Sequence, residues 1–320
     1  MAKRYEPLIK AIDAALRKAD DDLKDLLDDE GRAEPEESVK AINRLDAKLT
    51  EALKKETKRI ITALKRKKTL TEIIESDEFD QLFEDDTLTD EVKTIISGEL
   101  KMLIPKLVKE YVRFVDKELV INNVSKRTLV WIDSWSGDLA KLMKLSDKTV
   151  IETLIKSGFA EGGTVSTVTR AIKESGIRNE YYRARRVAVT EILRAHNVSK
   201  QEAALQNPSV TEKMWRHTGA HKNKPRENHV AMDGQRVPVD KPFTLIGRDG
   251  LIYHPMYPTD PELPPEEVIN CHCLSQSIVD EHILGLPLEI RQRLQREALE
   301  SLDADWEKEF NERNKARAGF

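Results

Sequence analysis

"VINCHCLSQ", residues 268–276, holds both cysteines of a 320-residue chain, one residue apart, with His272 between them and Asn270 in front. A disulfide between positions i and i+2 closes a strained ring and removes almost no unfolded-chain entropy, so it is the poorest account of the pair. Two readings stand. Thiolates two positions apart in an extended turn can share one tetrahedral metal ion, or both cysteines can pack as small buried residues. A closed metal site needs four ligands, which sends the search upstream to "WRHTGAHKNKPRENHVAMDG", residues 215–234, where His217, His221 and His229 stand. Within it Asp233-Gly234 reads as a turn, and His229 beside that turn is open as a general base, a ligand or neither.

Outward from these two stretches, Lys213 to Ile278 is rich in proline and histidine, with short β-like runs "KMWRH", "QRVPV" and "LIYH" between turns. That texture predicts a small, loop-rich α+β unit. Just before it, "NEYYRARRVAVTEILRAHNVSKQEAALQ" (179–206) predicts a strong helix, closed by the turn "NPSV". Thr190, Arg194, Asn197 and Gln201 fall on one face of this helix, and Glu191 can pair with Arg194 at i,i+3. A solvent-exposed face with one ion pair is the plain account of this stripe, but alanines and valines occupy much of the remainder, so Glu191 and Arg194 are read as locking the helix against the loop-rich unit.

Further upstream, "SDKTVIETLIKSGFAEGGTVSTVTRAIKESG" (146–176) suggests short helices alternating with glycine pairs and Ser/Thr caps. Before it, apolar spacing predicts three long helices. The first runs from Ser38 to Lys68 with Ile42, Leu45, Leu49, Leu53, Ile60 and Leu64. The second follows "LTDEV" with Val92, Ile96, Leu100, Leu103, Leu107, Tyr111 and Phe114, and Pro105 as a kink. The third uses Ile132, Trp135, Leu139 and Leu142. The chain from Pro287 onward reads as one charged helical arm. The expected architecture is therefore mainly α with a small α+β module near the C-terminus: an elongated helical domain over 1–145, the module over 146–280, and a charged helix over 281–320.

Charge is segregated along the chain. Charged residues make up 34% and aromatics 5%, and the formal net charge is -4. Residues 1–37 carry seven basic and twelve acidic side chains, residues 38–70 eleven and three, and residues 71–99 one and eleven. Such blocks suit helices packing on one another, as in a coiled coil, or a basic strip against phosphate. The acidic stretch "ESDEFDQLFEDDTLTDE" (75–91) is the best hinge candidate. No run approaches a membrane span and the start lacks a signal-peptide core, so synthesis in a cytosol is expected, where a disulfide framework has no place.

These pieces come in an order that resembles the phage head morphogenesis family, the minor head proteins like the F protein of phage Mu, from roughly Ser146 to Val279. The marks are the Thr190-Glu191 pair, the run Arg226-x-x-His229-x-x-x-Asp233-Gly234, and the ending Asn270-Cys271-x-Cys273. The resemblance implies a structural, non-enzymatic minor head protein of a tailed phage or prophage, present in few copies at the portal vertex or capsid interior. It implies portal, scaffold or major capsid protein as partners, packaged DNA as a further non-specific contact, and location in the virion after assembly in the host cytoplasm. Some relatives carry C-x-x-C where Arg226 and His229 stand here, which makes structural zinc the implied cofactor. Arg226 cannot ligate, so His229, Cys271 and Cys273 are the implied ligands, with His217, His221, Asp233 or water completing the set. Without metal, the same residues would pin the final loop onto the strand region.

Two other classes compete. A metal-dependent nuclease or hydrolase would use His229 to activate water beside a metal on Cys271 and Cys273, although two thiolates point to structural zinc rather than to a phosphate-clamping ion. A DNA-binding regulator lacks a recognition-helix pattern.

Overall fold

The structure, a computed structural model, describes residues 20–74, 81, 83–218 and 225–318. It is mainly α, with a small α+β module toward the C-terminus. Residues 20–29 are helical, and helix α1 (Pro35–Leu64) opens on a proline, whose fixed φ and missing N–H suit a first turn. Its buried stripe is the expected one: Ile42, Leu45, Leu49, Leu53, Ile60 and Leu64 are each at most 2% exposed. Short α2 (Leu70–Ile74) follows, then α3 (Thr87–Val115). Most of the expected hinge, residues 75–80 and 82, lies outside the described residues. Pro105 sits inside α3 without ending it.

Two side chains depart from their expected stripes. Phe114 is 62% exposed, because past Leu103 the buried side of α3 turns toward Ile104, Val108 and Val112. Leu142, on α4 (Lys126–Ala160), is 54% exposed, because the buried line runs through Ile132, Ser136, Ala140 and Met143. At about 100° per residue, Leu142 stands about 80° away from Ile132 around the axis and Met143 only about 20°.

The region expected to hold short helices holds two long ones instead. Helix α4 continues to Ala160, the chain turns at Gly162 (φ +68°), and α5 runs from Val165 to Gln206. Thr164 caps α5 reciprocally: the Thr167 N–H donates to Thr164 Oγ1 at 3.3 Å and the Thr164 N–H to Thr167 Oγ1 at 2.8 Å. Gly176 is absorbed within α5 because one glycine costs a helix only about 1 kcal/mol.

By packing, the chain groups into two compact units, with borders inside α1, α3, α4 and α5. One comprises Asn43–Met102 and Leu129–Val189. Ile60, Leu64, Leu70, Ile73, Phe83, Ile151, Ile155, Val168 and Ile172 form an apolar cluster within it. Here the acidic block answers part of the basic one, with Arg44 on Glu99 at 2.6 Å and Lys55 on Glu91 at 2.8 Å.

The other unit comprises Met1–Ile42, Leu103–Thr128 and Thr190–Phe320. Its antiparallel sheet has the order β2-β1-β5, with β1 (Val210–Arg216) between β2 (Arg236–Pro238) and β5 (Leu274–Val279). A second ribbon pairs β3 (Leu245–Ile246) with β4 (Ile252–Tyr253). Short helices α6 (Glu227–Ala231) and α7 (Pro265–Val268) bracket the loops, and α8 (Glu281–Leu284) leads to α9 (Leu288–Ala318). Helix α9, expected as an arm, is anchored: Arg291 pairs with Asp116 and Glu118, and Lys126 Nζ meets Glu307 at 2.9 Å.

Candidate functional site

Strand alternation decides what β1 buries. Lys213 and Trp215 point to one face and are at most 1% exposed, and Trp215 joins Met232, Phe243, Leu245, Leu263, Val268, Cys271 and Cys273 in one cluster. Asn270 adopts φ +56°, a left-handed conformation that asparagine tolerates better than most residues, and turns the chain from α7 into the cysteines. Both sulfurs then meet the ring of His229, which α6 supplies. Cys271 Sγ is 3.4 Å from His229 Nδ1 and Cys273 Sγ is 3.6 Å from it. The three donor atoms lie within 4.8 Å of one another, each in a buried residue.

Behind the ring, His229 Nε2 lies 2.9 Å from a carboxylate oxygen of the fully buried Glu267. That carboxylate also accepts the Arg248 N–H at 2.8 Å and the Asn228 amide at 3.1 Å. Burial opposes its charge, but these donors and the His229 ring outweigh it and hold Glu267 below the usual carboxylate range. An ionised Glu267 assigns the proton to Nε2 and leaves the Nδ1 lone pair facing the sulfurs. A carboxylate–histidine pair of this kind is how proteins orient an imidazole toward a metal. The neighbouring Cys273 thiol pulls the pKa of Cys271 well down, and the same contact, together with burial, pushes Cys273 up.

The other motif residues surround this cluster. Arg226 Nε donates to the Glu266 carbonyl at 2.7 Å and its Nη2 to that of Ile269, holding the turn that enters the cysteines. Asp233 accepts the His217 N–H at 2.9 Å, and Gly234 (φ +84°) donates its N–H to the Trp215 carbonyl at 2.9 Å. The polar face of α5 meets the loops. Arg194 pairs with Glu191 and donates to the Thr259 carbonyl at 2.8 Å. Asn197 reaches Thr259 Oγ1 at 3.1 Å and the Cys273 carbonyl at 3.2 Å, and Gln201 reaches the Val239 carbonyl at 2.8 Å. Thr190 is buried, and its Oγ1 has no hydrogen-bond partner among the described residues.

Of the remaining ring candidates, His217 Nδ1 is 3.6 Å from Cys273 Sγ, and His221 lies outside the described residues. Asp233 is committed to backbone at His217. The sequence reading missed Glu267, 38 positions from the histidine it orients and marked only as one of two acids in a proline-led turn. It also missed the outward role of His272. That ring is 2.8 Å from Glu30, and its carbonyl accepts Arg32 at 2.7 Å and Thr218 at 3.2 Å, so the C-x-C turn faces the cluster on one side and residues 30–32 on the other.

Such a chain is a mainly helical protein whose small α+β module is cross-tied by a buried histidine and two thiols. Its residues 149–276 match the family model of phage Mu protein F-like proteins. It is also 34% identical over 222 residues to an uncharacterized Bacillus subtilis (strain 168) protein, YqbB, covering 69% of this chain and 72% of that one. The chain belongs to the phage Mu F-like family of phage head proteins. No solved structure matches it.

Proposed function

We propose that the protein is a structural minor head protein of a tailed phage or prophage, a connector acting in head assembly at the portal or capsid interior. Family membership carries this reading. The module supports it: His229, Cys271 and Cys273 are each at most 3% exposed, a burial that suits a cross-tie more than a substrate site. Portal, scaffold or major capsid protein are the partners. Among the described residues no helix is long and apolar enough to cross a membrane. Co-sedimentation with proheads or purified portal tests the reading. Failure to associate with any head component would refute it.

His229, Cys271 and Cys273 hold a structural zinc ion in this proposal. The donors fit: soft thiolates with an imidazole whose tautomer is fixed by Glu267 suit zinc better than a hard cation. Zinc measured per chain after purification tests it. Lys48, Lys54, Lys58, Lys65, Arg66 and Lys68 are exposed on and just beyond α1, and in this proposal they take non-specific phosphate contacts from packaged DNA.

A further inference from the structure

We infer that His217 is the fourth ligand of this centre, closing it as a four-coordinate Cys2His2 site with no position left for water or substrate. The inference rests on the zinc reading and goes beyond it in naming the residue that decides between a structural and a catalytic ion.

Zinc–sulfur and zinc–nitrogen bonds of about 2.3 and 2.0 Å at tetrahedral angles set an S···N edge of about 3.5 Å. The two edges from His229 to the sulfurs, 3.4 and 3.6 Å, have that length, and so does the separation of His217 Nδ1 from Cys273 Sγ, 3.6 Å. A thiol–imidazole hydrogen bond explains one such contact. It does not explain why two rings converge on the one sulfur of Cys273, each through Nδ1.

Chain geometry places His217 for this role. It follows β1 immediately, two residues after Trp215, whose ring meets that of His229 edge-on at 5.6 Å. Its backbone is fixed by Asp233, and Thr218, next along, is tied to the His272 carbonyl between the two cysteines. The His217 ring approaches Cys273 but stands outside the tight group of the other three donors, so ligation needs a rotation of a half-buried side chain about a fixed backbone. The ring also lines a cleft with Arg216, Thr218, Lys200 and Leu274. A centre without His217 would therefore open its fourth position toward that cleft, the arrangement a hydrolytic ion requires.

The test uses the full chain, stripped with chelator and reloaded with Co²⁺ or Zn²⁺. Wild-type protein is expected to give a thiolate-to-cobalt charge-transfer band and the intense visible bands of a four-coordinate ion. His217→Ala should keep the charge-transfer band, lose visible intensity as water enters, and bind Zn²⁺ at least tenfold more weakly against a chromophoric chelator. His217→Cys should restore the affinity. Identical spectra and affinity in wild type and His217→Ala would overturn the inference and leave the three-ligand zinc reading intact. No metal uptake by wild type would remove both. Should the variants fail to fold, ¹¹³Cd with ¹⁵N-histidine in the unmutated chain decides: coupling to two imidazoles supports the closed site, and coupling to one overturns it.

Discussion

Acid stability should hinge on His196. This ring, fully buried on α5, is bonded at both nitrogens, with Ser38 Oγ 2.9 Å from Nε2 and the Tyr111 hydroxyl 2.7 Å from Nδ1. Tyr111 already accepts the Ala33 N–H at 3.2 Å, so its hydroxyl proton goes to Nδ1. Ser38 gives its own proton to the Glu34 carbonyl at 2.9 Å, so it accepts from Nε2–H. The chain of donors is complete only for a neutral imidazole, and a second ring proton would face the Tyr111 O–H. Burial, then the charges of Arg32 and Lys200, push the pKa of His196 well below its ordinary 6.5. The unfolded chain thus takes up a proton near pH 6.5 that the folded chain refuses. The stabilising difference is present above that value and is lost as pH falls. Between pH 7 and pH 5 the loss is about 2 kcal/mol while the folded ring stays neutral. Urea denaturation of wild type and His196→Gln at both pH values isolates this contribution, since every other group titrates alike in the two proteins. Wild type should lose about 2 kcal/mol more than the variant. Equal losses would show that His196 protonates in the folded chain and refute the hydrogen-bond assignment.

Arg194→Met removes the guanidinium that faces buried Glu191 and the Thr259 carbonyl, and denaturant titration should show a loss of about 3–5 kcal/mol. Asn270→Val should cost about 1–2 kcal/mol because a β-branched residue resists φ +56°, whereas Asn270→Gly should be near neutral. A thermal-melt series reads both. Changing Lys54, Lys58 and Lys65 together to Gln should flatten the logarithmic salt dependence of duplex DNA binding by about 0.9 for each phosphate no longer neutralised, and an unchanged slope would remove α1 from the DNA surface. Glu267→Gln takes the charge from behind His229 and should weaken Zn²⁺ affinity about 10–100-fold in a chelator competition.

What the sequence made legible follows from which constraints are local. The stripe Thr190, Arg194, Asn197, Gln201 was readable because helical periodicity alone gathers it on one face, and a polar face amid alanine and valine needs polar partners. The meeting of His229 with the two cysteines was approachable because an isolated thiol pair implies further donors. Glu267 was not legible: its tie to His229 spans 38 positions, and a carboxylate that orients an imidazole carries no spacing rule. The strand character of Leu274–Val279 was hidden in the same way, since its pairing partner lies some sixty residues upstream on β1.

The misplacement of Phe114 has another origin. A single apolar period assumes that a helix buries one side along its whole length. Helix α3 crosses from one compact unit into the other, packing Val92, Ile96 and Leu100 in one and Ile104, Val108 and Val112 in the other. Its buried direction therefore turns along the axis, and a residue in step with the first half comes out exposed in the second. Helix α5 divides its work likewise, with Ala184 and Ala188 buried before the border at Thr190, and beyond it the polar face that holds the loop-rich module and His196. A helix so used cannot show one clean stripe, and its want of one reflects how many surfaces it must satisfy.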